Sequence, residues 1–417
     1  MPNRFLLIVM SSALFIPIYI NIGGAPIYIV QSVVIVLVAF AIVVKNEITK
    51  PEHQTTFNVL IGLYLIWVLI SFFANSALDL IAGNFSFLSN RLASLIYFAL
   101  TITPYLISSV LIKKETHALL FIKYANFSFF MLIMFYLKNY ILLDDLYLAR
   151  ELIGQRVPLI IVFLAWALSA IFLVDKSDGN IVKIVTFFSS SVLVALSLTR
   201  AAYIQWIFSL LIYLFIFKKD IVKINFFLAL MVILIMPSIW MAYSIDFYEL
   251  ISERFNMLLN PVKLASGEES ANIRILIWKS IINELSSDPF HLLFGYGQLG
   301  SSYMDISNST LSGNYVGGTS AHSQYFDTLV RSGVVGMLFE ILIFIYAIKR
   351  SIDLKEISSM PYFFGAHASA LIGILFFGIF HETIRWQMFG FYFWFYAGLI
   401  AYGGRFKKKI PAYNKIA

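Results

Sequence analysis

The chain has 417 residues, of which 60% are hydrophobic and 13% charged, where a soluble domain carries roughly half and one-quarter; this places it among polytopic membrane proteins. Its formal net charge of +7 is explained by basic loops and contact with anionic lipid heads, so nucleic acid is not needed as a partner. The lack of cysteine excludes a disulfide framework, a thiolate nucleophile and a Cys-based metal site.

Arg4 and the apolar run through Ile22 imitate a signal peptide, but no small-x-small cleavage site follows and further runs do, so this is read as the first span. Crossing about 30 Å of hydrocarbon takes ~20 apolar residues. Such stretches lie near 5–22, 26–44, 57–74, 92–112, 118–136, 159–174, 182–199, 201–217 and 224–243, then near 334–348, 361–380 and 388–404. The expected fold is all-α, a bundle of about twelve transmembrane helices, because unpaired backbone groups in lipid are costly and the alternating pattern of membrane strands is absent. Gly23, Gly24 and Pro26 read as the turn between the first two spans, and Pro17, Pro104 and Pro237 are expected to kink theirs. The chain divides into a bundle over 1–243, a large helical periplasmic loop over 244–333 and a second bundle section over 334–417.

Charge sets the orientation. With the amino terminus cytoplasmic, the inner loops hold Lys45, Lys50, Lys113, Lys114, Lys176, Lys183, Lys218, Lys219, Lys223, Lys349, Arg350, Lys355, Arg405 and Lys407 to Lys409. The outer loops hold few basic residues, Arg91 among them, so the positive-inside bias puts both termini in the cytoplasm. Arg200, the long loop and His381 to Arg385 then share the outer face.

Arg200, in Leu198-Thr199-Arg200-Ala201-Ala202, is the only charge between about Ile184 and Phe217. Either it snorkels to the interface or it offers a planar fork to a phosphate. In the loop, Phe247 to Leu259 reads as a polar helix carrying Arg254, broken by Pro261 and Gly267 to Ser270. Ile273, Ile277, Ile281 and Leu285 then mark an amphipathic helix capped by Asn272, with Arg274 in its first turn, where free N–H groups favour an anion such as pyrophosphate; lipid head groups are the alternative.

Phe294 to Gly300 reads as a flexible glycine-rich turn, and Ser301 to Gly318 as a mobile loop able to cover a substrate. Thr319 or Ser320 is expected to cap a short helix reaching Arg331, with Tyr325, Phe326 and Leu329 as its apolar stripe and Gly333 as its terminator. His322 would lie in its first turn, where the helix dipole favours a neutral ring that accepts a proton from a sugar hydroxyl; a structural histidine is the competing reading. His53, His117, His291, His322, His367 and His381 lack ligand spacing, and Asp144-Asp145 is isolated, so no metal or other cofactor is expected. Neither a nucleophile elbow nor a phosphate-binding loop occurs, which argues against a serine hydrolase and an ATP-driven pump.

Three motifs resemble the bacterial O-antigen polymerase and O-antigen ligase superfamily: Leu198 to Ala202, Asn272 to Trp278 leading to Asp288-Pro289 and Gly295-Tyr296-Gly297, and His322-Ser323-Gln324 with Gly333 and Gly336. They cover about residues 185 to 350, while the first half shows only topology. The resemblance implies a multi-span glycosyltransferase of the inner membrane, similar to the GT-C fold. It would move a glycan, without metal, from undecaprenyl pyrophosphate to an acceptor hydroxyl on the periplasmic side. Arg200, Arg274 and Arg254 would neutralise the pyrophosphate, His322 would orient or deprotonate the hydroxyl, and Arg385 would touch donor or glycan. Trp278, Tyr296 and Tyr325 are candidates to stack on sugars. Expected partners are the lipid-linked donor and acceptor, membrane lipids and a chain-length regulator protein. The reading leans to a polymerase that joins lipid-linked repeat units. The alternatives are a ligase acting on lipid A-core and a lipid-linked oligosaccharide flippase or transporter.

Overall fold

Runs rich in Leu, Ile, Val and Phe have one way to satisfy their backbone in hydrocarbon, and that is the helix. The computed structural model describes residues 2–13, 19–22, 25–44, 56–112, parts of 114–131, 200–217, 269–297, 323–358, 361–379 and 387–401. Among these the chain is helical apart from one hairpin. The helices are α1 (Pro2–Ala13), α2 (Ile29–Val44), α3 (Thr56–Ile81), α4 (Phe85–Leu111), α5 (Arg200–Phe217), α6 (Glu269–Ser287), α7 (Pro289–Phe294), α8 (Gln324–Ile357), α9 (Pro361–Phe377) and α10 (Gln387–Ala401).

Between α1 and α2, strands β1 (Tyr19–Ile22) and β2 (Ala25–Tyr28) pair antiparallel. This corrects the helical reading of 5–22 and 26–44 where they meet. Ile22 pairs with Ala25, so two residues separate the strands in the chain. The flanking Tyr and Ile residues favour extended backbone.

Among the described residues, three helices are long and apolar enough to cross a membrane: α3, α4 from Arg91, and α8. Shorter apolar helices run over Ser32–Val43, Phe363–Phe377 and Phe389–Ala401. The stretches at 159–174, 182–199 and 224–243, with Pro17 and Pro237, lie outside the described residues, and helical residues recur between 116 and 131. Pro104 falls inside α4 as read from sequence.

Lipid tails do not drive helices together as water does, so close fit has to. α10 supplies a row of buried aromatic rings: Phe395 stacks on Phe121 at 4.0 Å, Phe393 meets Phe344 at 4.7 Å and Trp394 lies over Tyr64. Gly398 lets α10 approach the Tyr105 carbonyl and Ser108 of α4, and Gly373 lets α9 approach Gln205 and Ser209 of α5; neither position has room for a Cβ.

The expected terminator Gly333 does break α8. Its φ of 68° and ψ of −175° lie where glycine is almost alone in being tolerated. A continuous helix would separate Gln324 from Glu340 by about 24 Å along its axis, yet Gln324 Nε2 donates to Glu340 Oε1 at 2.8 Å. The chain therefore folds back at Gly333, and the arm from Val334 to Ile357 still exceeds the ~20 residues a crossing requires.

The bundle has two distinct ends. At one, Gln324 N donates to Gly378 O at 2.8 Å, joining the start of α8 to the end of α9. At the other, Lys355 Nζ donates to Ile216 O at 2.9 Å and Arg350 Nε to Ile400 O at 3.4 Å, on the last turns of α5 and α10. Because Ile216 lies at the Lys355 end and Gln205 and Ser209 face Gly373, α5 runs antiparallel to α9 and begins at the Gly378 end.

Candidate functional site

Polar side chains recur along α3 at Tyr64, Trp67, Ser71, Asn75 and Asp79, in steps of three or four that place them on one face. That face reads the backbone of the second half of the chain. Trp67 Nε1 donates to Ser332 O at 2.8 Å, Ser71 Oγ to Phe294 O at 2.5 Å and Asn75 Nδ2 to Gly295 O at 3.0 Å. Beyond them Asp79 pairs with Arg91 of α4, whose Nη1 donates to Tyr296 O. Arg91 is 1% exposed, so a residue read from sequence as an outer-loop charge is part of the interior. An ion pair so far from water persists only where its remaining hydrogen-bonding groups are also met, and the Tyr296 carbonyl meets one.

The turn it holds was expected to be flexible. Gly295 and Gly297 take φ of 67° and 65°, both are buried, and Tyr296 N donates to Val330 O at 2.6 Å. A Cβ on Gly297 would meet the Arg91 guanidinium, and one on Gly333 would meet the Leu293 carbonyl. These glycines serve close backbone approach in a fixed turn.

Ahead of the turn, Asp288 caps α7, its Oδ1 accepting from Phe290 N at 3.0 Å and His291 N at 3.2 Å, with Pro289 in the first helical position. Its Oδ2 bonds His291 Nδ1 at 2.5 Å, and this bond holds the carboxyl below the usual aspartate range. The His291 ring stacks on Tyr296 at 4.1 Å, and Tyr296 OH donates to Glu284 Oε1 at 2.8 Å. Tyr296 is 5% exposed. That corrects its reading as a sugar platform.

On α6 the expected apolar stripe packs inward: Ile277, Ile281 and Leu285 are buried against Tyr296 and Val330, and Trp278 stacks on Phe326 at 5.1 Å. The helix begins at Glu269, ahead of the expected cap Asn272, so Arg274 lies in the second turn, half-buried. An acidic residue at the start suits the positive end of the helix dipole. The expected cap at Asn272 and the first-turn placement of Arg274 are corrected accordingly.

Arg200 is the first residue of α5, at the Gly378 end of the bundle. Tyr325 OH donates to Leu375 O at 2.6 Å, so Tyr325 leaves the stripe formed by Phe326 and Leu329 and ties α8 to α9. His322, Arg254 and Arg385 lie outside the described residues. The described helix starts at Gln324, with Ser323 extended in the cap position; the expected cap at Thr319 or Ser320 lies, like His322, outside the described residues. Among the described residues no group of three or more His, Asp or Glu converges.

Residues 185–341 match the family model described as O-Antigen ligase. This segment carries the domain of the O-antigen polymerase and ligase superfamily. No curated protein matches the chain. The superfamily segment runs from before α5 to one residue past Glu340, and so takes in α5, α6, α7, the Gly295–Gly297 turn and the fold at Gly333. α3 and α4, which anchor that turn, precede it. This likeness and the apolar helices together support a membrane protein.

The residues missed from sequence are Trp67, Ser71, Asn75, Asp79, Arg91 and Glu340. The signal was present for the first four: polar groups four residues apart within an apolar helix mark a face that meets protein, because lipid cannot satisfy them.

Proposed function

We propose that the chain is a membrane glycosyltransferase that extends a surface polysaccharide, moving a glycan from an undecaprenyl-pyrophosphate carrier to a hydroxyl of another lipid-linked repeat unit. The observation that carries this reading is the superfamily match over 185–341. The Gly378 end would face the periplasm, with the inner membrane around the bundle.

In the reaction, the bond from the anomeric carbon to the pyrophosphate oxygen breaks and its electron pair leaves with the pyrophosphate. The acceptor oxygen bonds to the same carbon, and its proton passes to His322, a transfer typically worth about 10²–10⁴-fold. Arg200, Arg274 and Arg254 would neutralise the departing diphosphate, the term that is usually largest, and Arg385 would contact donor or glycan. No metal enters this scheme. Support for a shared site comes from chain order: Arg274 lies one turn ahead of Trp278, which stacks on Phe326, four residues after His322.

The family description names a ligase, and this favours a second reading in which the acceptor is lipid A-core. Purified protein in liposomes, given lipid-linked repeat units with and without lipid A-core, separates the two. A ladder of lengthening lipid-linked chains supports the polymerase, and transfer only to core supports the ligase. Lipid movement without transfer would point to a flippase and overturn both. His322→Ala is expected to abolish transfer and leave membrane insertion intact.

A further inference from the structure

Glu340 stands seven residues past the fold at Gly333 and is 6% exposed. A carboxyl inside a membrane bundle is costly unless its oxygens are met. Here they are met from separate segments. Oε1 accepts from Gln324 Nε2 at 2.8 Å, and Oε2 accepts from Thr328 Oγ1 at 2.9 Å and faces Tyr64 OH of α3 at 3.5 Å. Gln324 Nε2 also reaches Thr328 Oγ1 at 3.2 Å, closing the cluster.

The same turn of α8 is tied on its other side to the end of α9. Gln324 N and Ser323 Oγ both donate to Gly378 O, at 2.8 and 3.3 Å, and Tyr325 OH donates to Leu375 O. The residues immediately after His322 are thus fixed from below by Glu340 and from the side by α9, whose chain continues toward Arg385. Neither oxygen of Glu340 is left for a substrate-sized ligand to reach, because its donors surround it and it is buried. Its leverage runs through Gln324 and Thr328.

We propose that Glu340 is a positioning residue for the transfer reaction, fixing Gln324 and Thr328 and with them the first turn of α8, which follows His322 in the chain, against the end of α9. This rests on the glycosyltransferase reading. Catalysis depends steeply on such placement, since a displacement of about 1 Å costs on the order of 10²-fold in rate. A leucine at 340 would fill the space and remove the anchor. A glutamine keeps one carbonyl acceptor.

The test uses the full chain in lipid nanodiscs with the lipid-linked repeat unit as substrate, comparing wild type, Glu340→Leu, Glu340→Gln, Gln324→Leu and the Glu340→Leu/Gln324→Leu double variant. Donor kcat and KM, melting temperature and amide exchange are read for each. Glu340→Leu is expected to lower kcat about 10²-fold with donor KM within about threefold, and Glu340→Gln to recover most of the loss. The double variant should match Gln324→Leu instead of multiplying the two losses, as residues acting through one contact do. Amide exchange should rise over 324–328 and stay unchanged in α4. Wild-type kcat in Glu340→Leu overturns the proposal. So does a loss in which melting temperature falls and exchange rises through the whole bundle, or one that Glu340→Gln does not relieve. A wild type that transfers nothing is a different result: it removes the glycosyltransferase reading, and the positioning role with it.

Discussion

The two ends of the bundle use charge in opposite ways. At the Lys355 end, basic side chains sit at helix C-termini and bond last-turn carbonyls, as Lys355 does with Ile216 and Arg350 with Ile400. These contacts complement the helix dipole, and both side chains are only partly buried. At the other end Arg91 is interior, paired with Asp79 and bonded to the Tyr296 carbonyl that it holds in place. A positive charge therefore reports topology only where its chain neighbours leave it in solvent. Where an apolar helix also carries a stripe of polar partners, the charge is architecture.

This contrast is broken most directly at Arg91. Removing one member of a buried pair costs about 3–5 kcal/mol, so Arg91→Ala is expected to lower the melting temperature in detergent sharply. Arg91→Lys should recover only part, because a point charge replaces a fork that bonds two partners. Gly333→Ala comes next. The backbone strain alone is about 1–3 kcal/mol, and the collision with the Leu293 carbonyl adds to it, so loss of α8 packing is expected in thermal unfolding. Asp288→Ala removes a helix cap and should cost about 0.5–2 kcal/mol. Because the hydrogen bond from His291 holds the Asp288 carboxyl below its ordinary value of 3.8, its stabilisation is complete above that pH and fades as pH falls through the lowered value. A pH series on the wild type should show that acid loss, and Asp288→Ala should lack it. Lys355→Ala, at the opposite end, should cost only about 0.3–1 kcal/mol. A loss as large as that of Arg91→Ala would erase the distinction between the ends.

Much of this was legible in the sequence because lipid allows so few solutions. The apolar runs that became α3, α4, α9 and α10 were read correctly, as were the Ile277, Ile281 and Leu285 stripe and the stop at Gly333. The hairpin at Tyr19 to Tyr28 was not, since a short apolar run looks the same whether it coils or extends. Glycine misled at Gly295 and Gly297, where its abundance reads as mobility yet serves close approach under Arg91. The start of α6 was read four residues late, because Gly267 hid the helix-forming Glu269 behind it. Of the candidate site, Arg200, Arg274 and Tyr325 fall on described helices, whereas the polar face of α3 that secures the neighbouring turn was overlooked. It lies in the half of the chain that carries no recognisable motif.

The central claim is that the end built from α3, the Gly295–Gly297 turn and the start of α8 faces outside, opposite the Lys355 end. The chain contains no cysteine, so single reporters can be placed on a clean background at two exposed positions, Ser286 on α6 and Glu356 on α8. In intact cells whose outer membrane has been made permeable, a membrane-impermeant maleimide should label Ser286→Cys at once. It should reach Glu356→Cys only after the inner membrane is opened. Labelling of both from the same side, or of Glu356→Cys alone, would contradict the account.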